Sequence, residues 1–303
     1  MINPIDYLLP LIDQEGGVLS SPKGTVRPDS TAWASIIFGY SDSTFPASER
    51  SLDYLATHQL QDGRVSLSPE YPESSWPTSL AILSWRNSTA HHANHKQAVH
   101  FLLHSSGKHW EKKPNSVLAH NPALKGWAWI DNTHSWVETT SLGIIALHNA
   151  GYETHPRLQE ATRMLLDRQL PHGGWNYGNT QVFDTELRPS PEDTGAALSA
   201  LIGRVPLSDI AHSLDYLIAE CPRLRTPIAL GWSILGLSAW GQSPFKAQEW
   251  IHETLSRSTR FGGYDTASLC LLFAPLVAPH GLKSLSQPKQ ALNSSSEQIM
   301  ETA

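Results

Sequence analysis

The sequence predicts an all-α protein, and three observations carry that prediction. Almost wholly apolar runs of roughly ten residues alternate with polar amphipathic runs about six times along the chain, as stacked helical pairs do. Turns built on Gly recur between the two kinds of run, which suits helix ends that need a positive φ. No segment shows the period-two alternation of β-branched residues that a sheet requires. The 303 residues, 40 % hydrophobic and 17 % charged with a net charge of −6, can bury a large core and are not the composition of a disordered chain.

The elements follow in order. Asn3 to Ile12 is a weak first polar run, followed by the turn Gly16-Gly17-Val18 and an apolar run from Thr31. Ser48 to Gln59 is polar and leads through Gly63 and Val65 to the apolar run at Thr78. His91 to His104 precedes the apolar run at Thr140, and Arg157 to Arg168 precedes the turn Gln169, Gly173, Trp175 and the run at Thr194. Asp209 to Glu220 pairs with the run at Thr226, and Lys246 to Arg257, with a turn from Ser258 to Tyr264, pairs with the run at Thr266. The stretch Ser51-Leu-Asp-Tyr-Leu55 recurs as Ser213-Leu-Asp-Tyr-Leu217, so the alternation reads as a worn repeat. Each apolar run begins with Thr and a small residue, which lets such helices crowd round an axis. Residues 1–283 read as one domain and 284–303, polar and rich in Ser and Gln, as a disordered tail.

Gln169, Gly173 and Trp175 match the QxxxGxW repeat, and on that motif and the Thr-small-apolar helix starts the chain resembles the squalene/oxidosqualene cyclase and prenyltransferase superfamily. The resemblance spans roughly Asn3 to His280 and implies an (α/α)6 toroid of inner apolar and outer polar helices. In a toroid the inner helices run the same way, so their N-termini meet at one end of the cavity with partial positive charge.

That family's cyclases carry a DxDD proton-donor motif at such a helix start. The matching stretches here are Trp136-Val-Glu138-Thr139 and Ser190-Pro-Glu192-Asp193, where Glu138 or Glu192 would stand at the central acid and Asp193 at the last, the first acid being absent. Catalytic candidates are therefore Glu192, Asp193 and Glu138; each, like Asp265, also reads as a helix-capping acid. Trp33, Trp76, Trp129, Trp136 and Trp232 are candidate cavity aromatics that would stabilise a carbocation or simply fill the core. Asp131, His134 and Asp265 join them, with the segment from Gly126 to Trp136 marking the cavity mouth. The resemblance implies a terpene cyclase-like isomerase or lyase that holds an isoprenoid or similar apolar chain and cyclises or isomerises it by acid. The alternative is a non-catalytic toroid scaffold for a lipid or a protein partner.

No cofactor is expected. Prenyltransferase β subunits of this family use an Asp/Cys/His zinc site, but no Asp-x-Cys stands near a later His, and Cys270 lies in an apolar run. The His91/His95 and His100/His104 pairs have chelating spacing, yet no carboxylate or thiol joins them locally, and a solvated face is the simpler reading. Phosphate-loop, dinucleotide and nucleophile-elbow motifs are absent, as is the Cys-Gly-Glu-Gln of thioester domains. The acidic balance argues against nucleic acid. Cys221 and Cys270 are too few for a disulfide framework, so a reducing, cytoplasmic location is expected. Tyr7 to Ile12 or Leu271 to Val277 would supply any peripheral membrane contact.

Overall fold

The apolar runs become helices because almost every face of them is buried. In the computed structural model, which describes residues 2–39, 45–114, 116 and 118–286, all residues of α2 (Pro28–Phe38) and α4 (Pro77–Trp85) lie in the core. The other inner helices are α6 (Val137–Asn149), α8 (Pro191–Leu201), α10 (Pro227–Ala239) and α12 (Thr266–Val277). Proline opens α2, α4, α8 and α10, where its fixed φ suits the first turn and its missing N–H has no partner to lose. The polar runs form α1 (Pro4–Leu8), α3 (Phe45–Thr57), α5 (His92–His104), α7 (Pro156–Asp167), α9 (Ala211–Glu220) and α11 (Ala247–Phe261).

Neighbouring inner helices pack in the order α2, α4, α6, α8, α10, α12, and α12 returns to α2, so the inner ring closes. Each outer helix lies against the ring, which makes the architecture an (α/α)6 toroid. Glycines set the closest approaches: a Cβ on Gly195 of α8 would stand 2.3 Å from the Trp232 carbonyl oxygen of α10, and one on Gly231 would stand 2.5 Å from the Leu271 oxygen of α12.

The turns repeat a single hydrogen-bonded device. The N–H of Val18, Val65, Trp127 and Trp175 donates to the Oγ1 of Thr31, Thr78, Thr140 and Thr194, at 2.9, 3.0, 3.0 and 3.0 Å. Three of these links span 13 residues and the last spans 19, because a hairpin is inserted there. Its strands, β1 (Gln181–Val182) and β2 (Thr185–Glu186), were not expected from the sequence; they are too short for a period to show. Gly16, Gly63 and Gly173 take φ of +91°, +95° and +95° against the backbone of Arg50, Gln97 and His212 in the following outer helix. Trp127 is the structural counterpart of Trp175: their indole N–H groups donate to the Leu102 and Leu165 carbonyls of the preceding outer helix.

The ring is sealed at its other end by the turn Leu282–Ser286, whose Leu282 and Leu285 are buried. Arg86 and Asn149 donate to the Leu285 and Leu282 carbonyls, and Lys283 to that of Ile202. Leu285, the second residue of the expected tail, is thus buried, and 287–303 lie outside the described residues.

No helix among the described residues is long and apolar enough to cross a membrane. Leu271 to Pro275 is core, which removes that segment as a membrane contact, whereas Tyr7 and Leu9 are exposed. The histidine run is not one solvated face either. His91 is buried, bonded to Ser88 Oγ at 2.8 Å and Asp53 Oδ1 at 2.9 Å, while His92, His100 and His104 are exposed.

Replacing Gly195 with Ala is expected to lower the thermal midpoint by several degrees, at about 1–3 kcal/mol for overpacking, because backbone rather than a movable side chain blocks the new methyl. Gly263→Ala, which meets nothing within 4 Å, is the control and leaves the midpoint unchanged; equal midpoints for the two variants would contradict the close crossing.

Candidate active site at the mouth of the toroid

Ring closure brings the inner-helix N-termini to one rim. The residues there divide into those that finish a helix end and those that do not. Asp265 caps α12, accepting from the Ser268 N–H at 3.0 Å and from its hydroxyl. Ser190 caps α8, and Asp193 takes the Ser190 hydroxyl at 2.6 Å in return. Asp29, in the first turn of α2, is 1 % exposed and forms a two-pronged ion pair with Arg27. Asp131 pairs with Arg64 at 2.7 Å in the loop beside the rim.

Glu138 has no such duty. It sits in the first turn of α6, whose N-cap Trp136 offers no side-chain cap, and its carboxylate accepts the Trp232 indole N–H from α10 at 3.1 Å. That bond passes over α8, which lies between the two helices in the ring. Trp232 also meets Trp33 of α2 edge to face, with ring centroids 6.3 Å apart. Alternate members of the ring, α6 with α10 and α10 with α2, are thereby joined through two buried indoles.

Burial pushes the Glu138 carboxyl up to about 7, the charge of Asp193 adds to this, the Trp232 N–H opposes it and Glu192 adds further. Burial likewise pushes Asp193 up to about 6, against the Ser190 hydrogen bond and with Glu192 contributing. A helix N-terminus favours the ionised form by about 0.3–1 kcal/mol. A rise from 4.5 to about 7 corresponds to about 3 kcal/mol the other way, so desolvation and the second acid win. The result is a carboxyl that still holds a proton near neutral pH, with a second carboxyl facing it. Glu192 makes no side-chain hydrogen bond or ion pair among the described residues and reaches water.

Aromatic rings edge this site. His134 packs on Trp136 at 5.0 Å and Trp136 on Tyr177 at 5.7 Å, and the backbone is tied where Val137 N–H donates to the Tyr177 carbonyl. Trp76 and Trp129 form a separate pair, 5.1 Å apart, farther round the rim. The structure thus brings together Glu138, Asp193, Glu192, Trp232 and Trp33, with Trp136 and His134 adjoining. Asp265 and Asp131 are engaged elsewhere.

The sequence reading did not single out Tyr177, or the pocket of about 250 Å³ that it lines with Trp136, His134, His120, Lys108 and Arg168. Tyr177 lies two residues beyond the corner Trp175, which is the one signal that would have found it. Among the described residues, no group of three or more His, Cys, Asp or Glu could hold a metal ion.

No protein-family profile matches the chain, and no curated protein does. Solved structures do. The chain is similar to a protein from Actinoplanes at 16 % identity, covering 94 % of this chain and 98 % of that one with a TM-score of 0.56. The GH76A α-1,6-mannanase of Salegentibacter sp. HEL1_6 matches at 9 % identity over 94 % and 96 % of the two chains, with a TM-score of 0.59. An α-amylase from Clostridium perfringens matches at 12 % identity over 89 % and 95 %, with a TM-score of 0.59.

Identities this low show the fold, the (α/α)6 toroid, and the named enzymes are glycoside hydrolases rather than cyclases. The resemblance to the squalene/oxidosqualene cyclase and prenyltransferase superfamily is corrected accordingly. With it go the isomerase or lyase class and the isoprenoid ligand, and the non-catalytic scaffold for a lipid or a protein partner is not favoured. Inside the ring the buried Trp33 and Trp232 meet edge to face and fill space that an apolar chain held there would need.

Because its folded-state pKa is raised, Glu138 binds its proton more tightly in the folded chain than in the unfolded one. Stability is therefore fullest below about pH 4.5 with respect to this group and falls as pH rises through about 7, by up to about 3 kcal/mol. Glu138→Gln keeps an acceptor for Trp232 without the charge. It is expected to melt higher than the parent at pH 8 and level with it at pH 4, and calorimetry at the two pH values checks this.

Proposed function

We propose that the chain is a glycoside hydrolase-like enzyme that cleaves a glycosidic bond at the toroid mouth, with Glu138 as general acid and Asp193 as its carboxylate counterpart. The observation that carries this reading is the placement of Glu138, in the first turn of α6 on the Trp232 indole N–H and facing the charges of Asp193 and Glu192, where burial raises its carboxyl. Cleaving such a bond takes one carboxyl that is still protonated at working pH, to load the leaving oxygen, and a second that is ionised. The second carries the covalent or water-delivering step. Burial holds Glu138 near 7 and Asp193 near 6, so between these values the two occupy opposite states.

Two further features support it. Trp136 and Tyr177 offer ring faces on which a pyranose can lie while its hydroxyls reach the acids. The mannanase neighbour has been studied as an inactive variant in which two consecutive aspartates are replaced by asparagine, in complex with α-1,6-mannotriose. Glu192 and Asp193 are consecutive acids of the same kind in this chain.

The test is reducing-end release from a panel of oligosaccharides, α-1,6-mannotriose and maltooligosaccharides included, by the parent and by Glu138→Gln and Asp193→Asn. Each substitution is expected to lower kcat by about 10²–10⁴. Unchanged turnover in Glu138→Gln would overturn the reading. The pH profile of kcat/KM is expected to be a narrow bell with limbs near 6 and 7. Trp232→Phe removes the one donor that favours ionised Glu138, so its alkaline limb is expected to move upward.

A further inference from the structure

The pocket beside the mouth has a composition that the catalytic acids do not explain. It adjoins the start of α6 through Ser135 and Trp136, and its charged lining is Lys108 and Arg168, with His120 and His134 and no carboxylate. In a chain whose net charge is −6, that is a local reversal of sign.

Two of these side chains are buried with polar atoms left over. His120 is 6 % exposed and its Nδ1 has no hydrogen-bond partner. Arg168 is 5 % exposed, and its Nε has no hydrogen-bond partner either. The Asp167 carboxylate stands 3.4 Å from that Nε but already takes the Asn121 N–H at 2.8 Å. Arg168 is held in place through Nη1, which donates to the Gly178 carbonyl at 2.8 Å, and by a longer bond of 3.5 Å from Nη2 to the Asn121 carbonyl. A buried polar atom left without a partner costs about 1–3 kcal/mol, so a fold keeps it where something else completes it. Burial lowers the Arg168 guanidinium to about 10, which leaves it cationic at neutral pH.

The remaining wall is aromatic. Trp136 and Tyr177 incline at 50° with ring centroids 5.7 Å apart. A volume of about 250 Å³ suits one ring-sized group rather than an extended ligand. Flat apolar faces on one side and cations with open donors on the other recognise a saturated ring that bears a carboxylate.

We propose that this pocket binds the uronate residue of an acidic oligosaccharide, with Arg168 and Lys108 on the carboxylate and Trp136 and Tyr177 against the ring. The substrate class is then an acidic rather than a neutral glycan. That last step rests on the glycosidase reading; the binding itself does not.

The experiment is calorimetric or ligand-observed NMR titration of the full chain with glucuronate and galacturonate, and with glucose and galactose as neutral controls. Uronates are expected to bind at least tenfold more tightly than the neutral sugars, and added salt to weaken them. Lys108→Met and Tyr177→Ala, both at exposed positions that the fold tolerates, are each expected to weaken uronate binding about tenfold. Arg168→Lys, which keeps the charge and loses the fork, is expected to weaken it as well. Equal affinity for neutral sugars, no uronate binding, or no effect of Lys108→Met and Tyr177→Ala would each overturn the proposal. Hydrolysis of neutral glycans that Glu138→Gln abolishes, without uronate binding, would remove this inference and leave the glycosidase reading. Uronate binding with no hydrolysis of any glycan would do the reverse.

Discussion

Closure of the inner ring is the constraint from which the site follows. Six helices that must each touch two neighbours, with α12 returning to α2, can only be laid down by an outer helix that carries the chain back every time. Every inner helix then starts at one rim and ends at the other. Close approach at Gly195, Gly231 and Gly236 tightens the ring until no open channel is needed along its axis, and Trp33 and Trp232 take up the space that is left. The carbonyl rim is covered by the chain's own Leu282–Ser286, with Arg86 and Lys283 donating where the helix dipoles are negative. The rim of N–H groups is the one that stays open.

At that rim two electrostatic effects compete. Helix dipoles favour ionised acids there, and most of the acids present use that advantage or are spent in pairs: Asp265 on the α12 cap, Asp29 on Arg27, Asp131 on Arg64. Glu138 has neither a cap nor an ion pair; burial raises it, as it raises Asp193 and Asp29, and a second acid adds to the effect. The same desolvation that costs stability above neutral pH is what keeps a proton available at the surface where a polar ligand can arrive. On the glycosidase reading proposed above, this side chain gives up stability for chemistry.

The turns explain why the sequence suggests one toroid superfamily and the structure matches others. A turn that leads from an outer helix into an inner one needs a positive φ against the next outer helix, a donor for the inner Thr and a large side chain over the joint. Gly173, Trp175 and Thr194 meet those needs, and Gly63, Val65 and Thr78 repeat the positive-φ glycine and the N–H···Oγ1 link with a smaller side chain at the joint. The pattern is a mechanical answer to ring closure and is blind to what the mouth binds. It also hid one of its own copies. Trp127 makes the same two bonds as Trp175, but residues 108–125 separate it from the helix it follows, so the spacing that marks the motif is broken.

The sequence by itself determined the alternation of helices. Burial on all faces or on one is written in local apolar spacing, and the observed boundaries of α5, α7 and α9, and the start of α12, fall within about two residues of those read from it. It also placed acids at inner-helix starts, since such a start is a local feature, and Glu138, Glu192 and Asp193 stand in the first turns of α6 and α8. Only the tertiary structure decided what those acids are. Whether Glu138 carries a proton depends on Asp193, 55 positions later in the sequence numbering, and on Trp232, 94 residues away. The pocket needs Lys108, His120, Arg168 and Tyr177, which come from an insertion, an outer helix end and a turn. Desolvation and charge coupling act through space over a few ångströms, and no pattern along the chain records which distant residues ring closure brings within that range.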